Sequence, residues 1–201
     1  MRYTNRMFKA AIGASVLSIA FGSASFAGAR TCVEPPPGLV SWWPGDGDAR
    51  DIVGESDGVL QNGATFADGL VGQAFSFDGV DDFVSAPHNE SQDLREALTI
   101  DAWIMRTGSC ERLNCIVFMK EDVSAPEDDP RRYDAALRYG LVLHDNPGDW
   151  TFGRVSLSLN TGAWEDVAIS ETVLESHIWY HIAGTYDGTN ARIYVNGLLE
   201  S

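Results

Sequence analysis

Lysine is almost missing from this chain: Lys9 and Lys120 are the whole supply among 201 residues. Lysine and arginine together number 14 against 29 aspartates and glutamates, for a net charge of −15. Such a surface repels phosphate backbones and anionic bilayers, which argues against nucleic acid and against charge-driven membrane binding. Solubility is the plain reading of the acidity, and divalent-cation binding the sharper one. Cysteine is also scarce, with three residues, Cys32, Cys110 and Cys115. Three thiols with no histidine at ligand spacing do not make a structural zinc site. Helical patterning is poor: no window of ten or more residues shows an amphipathic repeat. The best helical candidates are a turn or two near Ser91–Ala97 and a short piece near Tyr133–Leu137.

One apolar run stands at the start. Arg2, Arg6 and Lys9 precede Ala10–Phe21, and Ser25-Phe26-Ala27 and Ala27-Gly28-Ala29 are small-x-small cleavage sites. Residues 1–29 are therefore expected to be a secretory signal peptide cleaved near 27–29. An uncleaved anchor is the alternative, but the run is too short to span a bilayer. Ala29-Arg30-Thr31 before Cys32 does not suit a lipoprotein signal. Cleavage would move the net charge from −15 to −18. It would place the chain in a secreted, periplasmic or cell-surface setting that permits disulfides. Cys110 and Cys115 bracket a polar stretch, Glu111-Arg112-Leu113-Asn114, and a local disulfide across it is expected. Such a bridge staples a loop tip, with modest gain for so short a loop. Cys32 is then left free or paired outside this chain.

Residues 30–37 form a proline-rich linker ending Pro35-Pro36-Pro37, and residues 38–201 read as one all-β domain. Leu39–Trp43, the runs at Phe75, Phe77 and Phe83, Leu98–Ile104, Ile116–Met119, Tyr139–Leu143 and Arg154–Asn160 read as strands. In the last, Val155, Leu157 and Leu159 face inward while Arg154, Ser156 and Ser158 face outward. Trp179–Gly197 reads as a hairpin around Asp187-Gly188-Thr189-Asn190, closing on Asn196-Gly197, a strong signal for a further strand. Many short strands bounded by Gly, Asp, Asn and Pro argue for a two-sheet antiparallel sandwich.

Five segments in order carry a resemblance. They are Gly38–Gly47 (GLVSWWPGDG), Asp57–Thr65 (DGVLQNGAT), Gly72–Val84 (GQAFSFDGVDDFV), Leu98–Trp103 (LTIDAW) and the hairpin Trp179–Gly197. Together they resemble the LamG-like jellyroll domains of the concanavalin A-like lectin/glucanase superfamily. The resemblance implies a jellyroll sandwich and a lectin, adhesion or glycosidase setting. It also implies further C-terminal strands beyond Gly197, so an incomplete domain is expected.

Laminarinase-like enzymes of this fold carry Glu-x-Asp-x-x-Glu, whose first two carboxylates share one strand face. Glu165-Asp166 are adjacent, Glu90, Asp93 and Glu96 have helical spacing, and Asp101 stands alone. No catalytic residue is assigned. Related domains often bind calcium, which takes oxygens from carboxylates and turn carbonyls. Asp46, Asp78, Asp81 and Asp187 sit on glycine-containing turns and are the candidate Ca²⁺ ligands, each alternatively capping its own turn. Loop aromatics can stack on sugar rings, and Trp150, Trp164 and Tyr133 are the candidate ligand-binding residues. Trp42, Trp43, Trp103 and Trp179 sit in strands, where core packing is the better account of those that face inward. His177 and His181 would lie about 13 Å apart on a strand. His88 and His144 show no partner, and no Ser-His-Asp arrangement, phosphate loop or nucleotide fingerprint is visible. The expectation is an exported, non-catalytic module that binds glycan or extracellular protein, with calcium as candidate cofactor. A structural or adhesive module at the N-terminus of a larger surface protein comes second, and a glucanase-type hydrolase third.

Overall fold

A computed structural model describes residues 35–94, 96–110, 114–120, 138–160 and 164–201, without the side chains of Asn114, Arg138 and Trp164. The leader, Cys32, Tyr133, the helical candidate at 133–137 and the Trp164 indole lie outside the described residues.

Strand formation follows the apolar alternation. Twelve strands are described: β1 (Val59–Gln61), β2 (Thr65–Asp68), β3 (Gln73–Ser76), β4 (Phe83–Ser85), β5 (Leu98–Met105) and β6 (Asn114–Lys120), then β7 (Arg138–His144), β8 (Val155–Asn160), β9 (Trp164–Ile169), β10 (Trp179–Tyr186), β11 (Ala191–Val195) and β12 (Leu198–Leu199). All pairings are antiparallel. Two four-stranded sheets, ordered β12-β11-β10-β5 and β6-β7-β8-β9, form the body, and β1-β4 and β2-β3 form two small pairs. Among the described residues near Ser91–Ala97 the helical piece is a 3-10 turn at Glu90–Gln92, started by Asn89 accepting from Ser91 N. Among the described residues no helix is long and apolar enough to cross a membrane.

The inner faces of the two sheets make one core. Ile104, Ile182 and Ile193 from one sheet join Leu141, Leu143, Val155, Leu157 and Leu159 from the other, all essentially without exposure. Each such side chain contributes roughly 1.5–3 kcal/mol through burial. Gly184 on β10 lets the sheets approach: a Cβ there would lie 3.0 Å from Leu157 Cδ1 and 3.1 Å from Leu141 Cδ2. A second cluster holds Ala49, Phe75 and Val84, with Trp43, Leu60, Phe66 and Phe77 packed on it.

Two expectations need correction, the Leu39–Trp43 strand and the place of the disulfide. Leu39–Trp43 does not join a ladder. The Asp51 carboxylate accepts from the N–H groups of Trp42, Val53 and Gly54, and Trp42 O accepts from Ile52 N, so a side chain organises this stretch. The Cys110–Cys115 disulfide is present, with 5.9 Å between Cα atoms. It belongs to the core, because Cys115 pairs with Leu143 on the inward face and is 1 % exposed. Trp103 and Trp179 are half-buried on the outer face, opposite His181 and Met105, while Ile104 and Ile182 take the core.

Candidate ligand-binding site

The outer face of β7, β8 and β9 is unusually small and polar. Alternation sends Val155, Leu157 and Leu159 inward, which leaves Ser156, Ser158 and Asn160 on the opposite side. The two serines are buried all the same, at 0 % and 4 % exposure. Both donate to one oxygen: Ser158 Oγ lies 2.6 Å and Ser156 Oγ 2.9 Å from Asp166 Oδ1. A bulge makes this possible. Ser158 faces Asp166 while Leu157 faces Ala168, so Val167 is an extra residue on β9. Without it, Asp166 and Ala168 would share a face; with it, Asp166 points outward and Ala168 enters the core. At the end of β7, His144 Nε2 stands 3.0 Å from Ser156 Oγ and 3.5 Å from Asp166 Oδ2.

The β7–β8 connection stands over this face. It is built of consecutive turns, with Asp149 N donating to Asn146 O, Phe152 N to Asp149 O and Arg154 N to Thr151 O. The Asp149 carboxylate accepts from Thr151 N and Thr151 Oγ1, and these bonds hold it below the usual carboxylate range. Asp145 anchors the loop. Its buried carboxylate pairs with Arg106 at 2.7 Å and accepts from Cys110 N at 2.6 Å. Arg106 in turn lies over the Phe152 ring, 4.9 Å from its centre. The Trp150 side chain is left 71 % exposed. Together these residues enclose an open pocket of about 370 Å³, lined by His144, Asn146, Asp149, Trp150, Thr151, Asp166 and Ile169. A neighbouring depression of about 390 Å³ shares Trp150, Asp166 and Ile169, so Trp150 forms the ridge between the two.

A family model described as the concanavalin A-like lectin/glucanases superfamily, Laminin_G_3, matches residues 78–201, more than half of the chain. The chain belongs to that superfamily. No curated protein and no solved structure matches it. Within this concanavalin A-like domain the matched residues include both four-stranded sheets and every pocket residue. The disulfide fits an extracellular domain.

The Ca²⁺ candidates do not meet at one place. Asp46 Oδ1 accepts from Gln73 N, tying the β2–β3 turn. Asp187 accepts from Thr189 N, Asn190 N and Arg192 Nη1, bonds that hold its carboxyl well below the usual range. Asp78 and Asp81 do come together, with Asp82, the next residue of the same turn, as a third member. There Asp78 Oδ1 accepts from Val80 N and Asp82 Oδ2 from Asp78 N.

Of the ligand-binding candidates, Trp150 lies in the pocket, while for Trp164 the backbone opens β9 opposite Asn160. His144, Ser156, Ser158 and Asp166 were not singled out as binding residues. Their only sequence signal is the outward serine alternation in β8. The structure also brings a serine, a histidine and an aspartate together, which the sequence did not show. It is not a nucleophilic relay. One imidazole nitrogen faces both partners, and the aspartate accepts directly from the serine, so among the described residues no third group orients the ring to take a serine proton. His88 likewise has partners, Lys120 and Asp93.

Proposed function

We propose that this chain is an exported, non-catalytic recognition module that binds carbohydrate in the pocket beside Trp150. The exposed indole carries this reading. A tryptophan 71 % exposed on the rim of a concave polar pocket supplies an apolar platform for a pyranose face. Asn146, Asp149, Thr151 and Asp166 supply hydroxyl partners around it. The non-catalytic part rests on the carboxylates. Glycoside hydrolysis needs one carboxyl held protonated as general acid. Asp149 is pushed the other way by the Thr151 bonds, and Asp166 Oδ1 is already occupied by two serine hydroxyls. Export rests on the N-terminal leader pattern. Calcium enters at Asp78, Asp81 and Asp82, whose ligand atoms lie within 4.8 Å of one another. These carboxylates and adjacent turn carbonyls are the oxygen donors a hard cation takes.

Isothermal calorimetry of the purified protein against a polysaccharide panel, with and without EDTA, tests the proposal. At least one glycan should bind, and Trp150→Ala should weaken it roughly tenfold or more, the scale of losing an aromatic platform. Silence across the whole panel would refute the carbohydrate reading. Release of reducing ends from a β-glucan, abolished by Asp166→Asn, would overturn the non-catalytic one.

A further inference from the structure

The pocket beside Trp150 is negative as well as aromatic. Asp149 and Asp166 both line it, and each has one oxygen engaged by neighbouring donors, Thr151 for Asp149 and the two serines for Asp166. The bonds from Thr151 use Asp149 Oδ1 and those from the serines use Asp166 Oδ1, while Asp166 Oδ2 faces His144 Nε2 at 3.5 Å. The basic group in the lining is His144, whose Nε2 is directed at Ser156 and Asp166 and which is 6 % exposed. On the far side of Trp150, Arg154 spends Nη1 on Ser170 O at 2.9 Å. No lysine lines either depression. The field of the whole chain, −15, has the same sign as the pocket.

An exposed indole face flanked by carboxylates is the chemistry that recognises an ammonium group. The ring quadrupole attracts a cation over its face, and the carboxylates accept charge-assisted hydrogen bonds from it. An anionic sugar meets the reverse situation: its sulfate or uronate would be desolvated against two carboxylates. Resting on the carbohydrate reading above, we infer that the ligand is a glycan with free amines, a polymer or oligomer of 2-amino-2-deoxyhexose. One sugar face stacks on Trp150 while its ammonium sits between Asp149 and Asp166. The free amine is the discriminating group, because N-acetylation keeps the ring and removes the charge.

Calorimetry on the full chain with short glucosamine oligomers, N-acetylglucosamine oligomers of equal length, heparin and polylysine separates the outcomes. The amine oligomer should bind on the order of tenfold or more tighter than the acetylated one, the scale of a hydrogen bond to a charged group. Its affinity should fall as NaCl is raised. Asp166→Asn should remove most of that preference while keeping an oxygen for the serines. Asp149→Asn, on an exposed turn, carries the same test if the first variant fails to melt cooperatively. Equal binding of both oligomers would sink the amine inference and leave the carbohydrate reading standing, and so would tighter binding of heparin. Silence toward these sugars while a neutral glycan of the panel binds would overturn the amine inference alone, and polylysine binding or no binding with the whole panel silent would overturn both.

Discussion

Tyr139 illustrates how one side chain ties the 3-10 turn to the sheet. Its ring is 3 % exposed and stacks on Phe118 at 6.0 Å, and its hydroxyl donates to Gln92 O at 2.8 Å. Burial, reinforced by the Asp93 charge, pushes the phenol up to about 12 from 10.0. A raised phenol pKa means that the folded state favours the neutral form. The associated stability is complete below pH 10 and drains as pH rises from 10 toward about 12. The loss should be on the order of 2 kcal/mol. Denaturant melts across this range should show it, alongside an absorbance titration in which one tyrosine ionises late. Tyr139→Phe should flatten the alkaline slope while costing about 1 kcal/mol at neutral pH, for the hydrogen bond removed. An unchanged slope in that variant would assign the alkaline loss elsewhere.

Hairpin β10–β11 shows at the level of the element what a sequence can and cannot carry. Tyr180, Ile182 and Tyr186 on β10 and Ile193 and Val195 on β11 set the inward faces, Asp187 caps its own loop, and Asn196-Gly197 turns the chain with φ of 51° and 79°. Leu198–Leu199 then pairs back on Tyr194 and Val195, the strand that the turn promised. All of this is local, and local chemistry is written in consecutive residues. The Trp150 loop was legible for the same reason, as a tryptophan among turn formers. The binding face was not. Its β8 serines were legible as outward, but the extra residue at Val167 leaves no mark in composition, and His144 and Asp166 meet only through strand pairing. Leu39–Trp43 failed differently: a strand-like run was captured by the Asp51 carboxylate before it could find a ladder. The turn itself offers a clean test. Gly197→Ala places a Cβ in left-handed backbone, which costs roughly 1–2 kcal/mol, although nothing lies within 4 Å to obstruct it. Chemical denaturation should report that loss with an unchanged m-value. A fall in m would mean that the hairpin had frayed instead of strained.

The charge of the whole molecule gives opposite signs to two salt responses. A net −15 with a pI near 4.4 makes the folded surface repel itself at neutral pH. Several carboxylates cannot relieve this by taking up protons. Asp48, Asp149 and Asp187 are all held below their ordinary pKa by hydrogen bonds from nearby backbone and side chains. Screening by salt is the remaining relief, and it acts over a Debye length of about 10 Å at 0.1 M. Raising NaCl from about 20 to about 300 mM should therefore lift the melting temperature by a few degrees. Calorimetric scans at fixed pH check this, and a flat or falling Tm would show that self-repulsion does not limit stability. Over the same range the amine-bearing glycan should bind less tightly, because the field that strains the fold is the one that draws in a cation. A generic stabilisation by salt would tighten or spare both, so a rising Tm with a falling affinity is evidence that one acidic field governs stability and recognition alike.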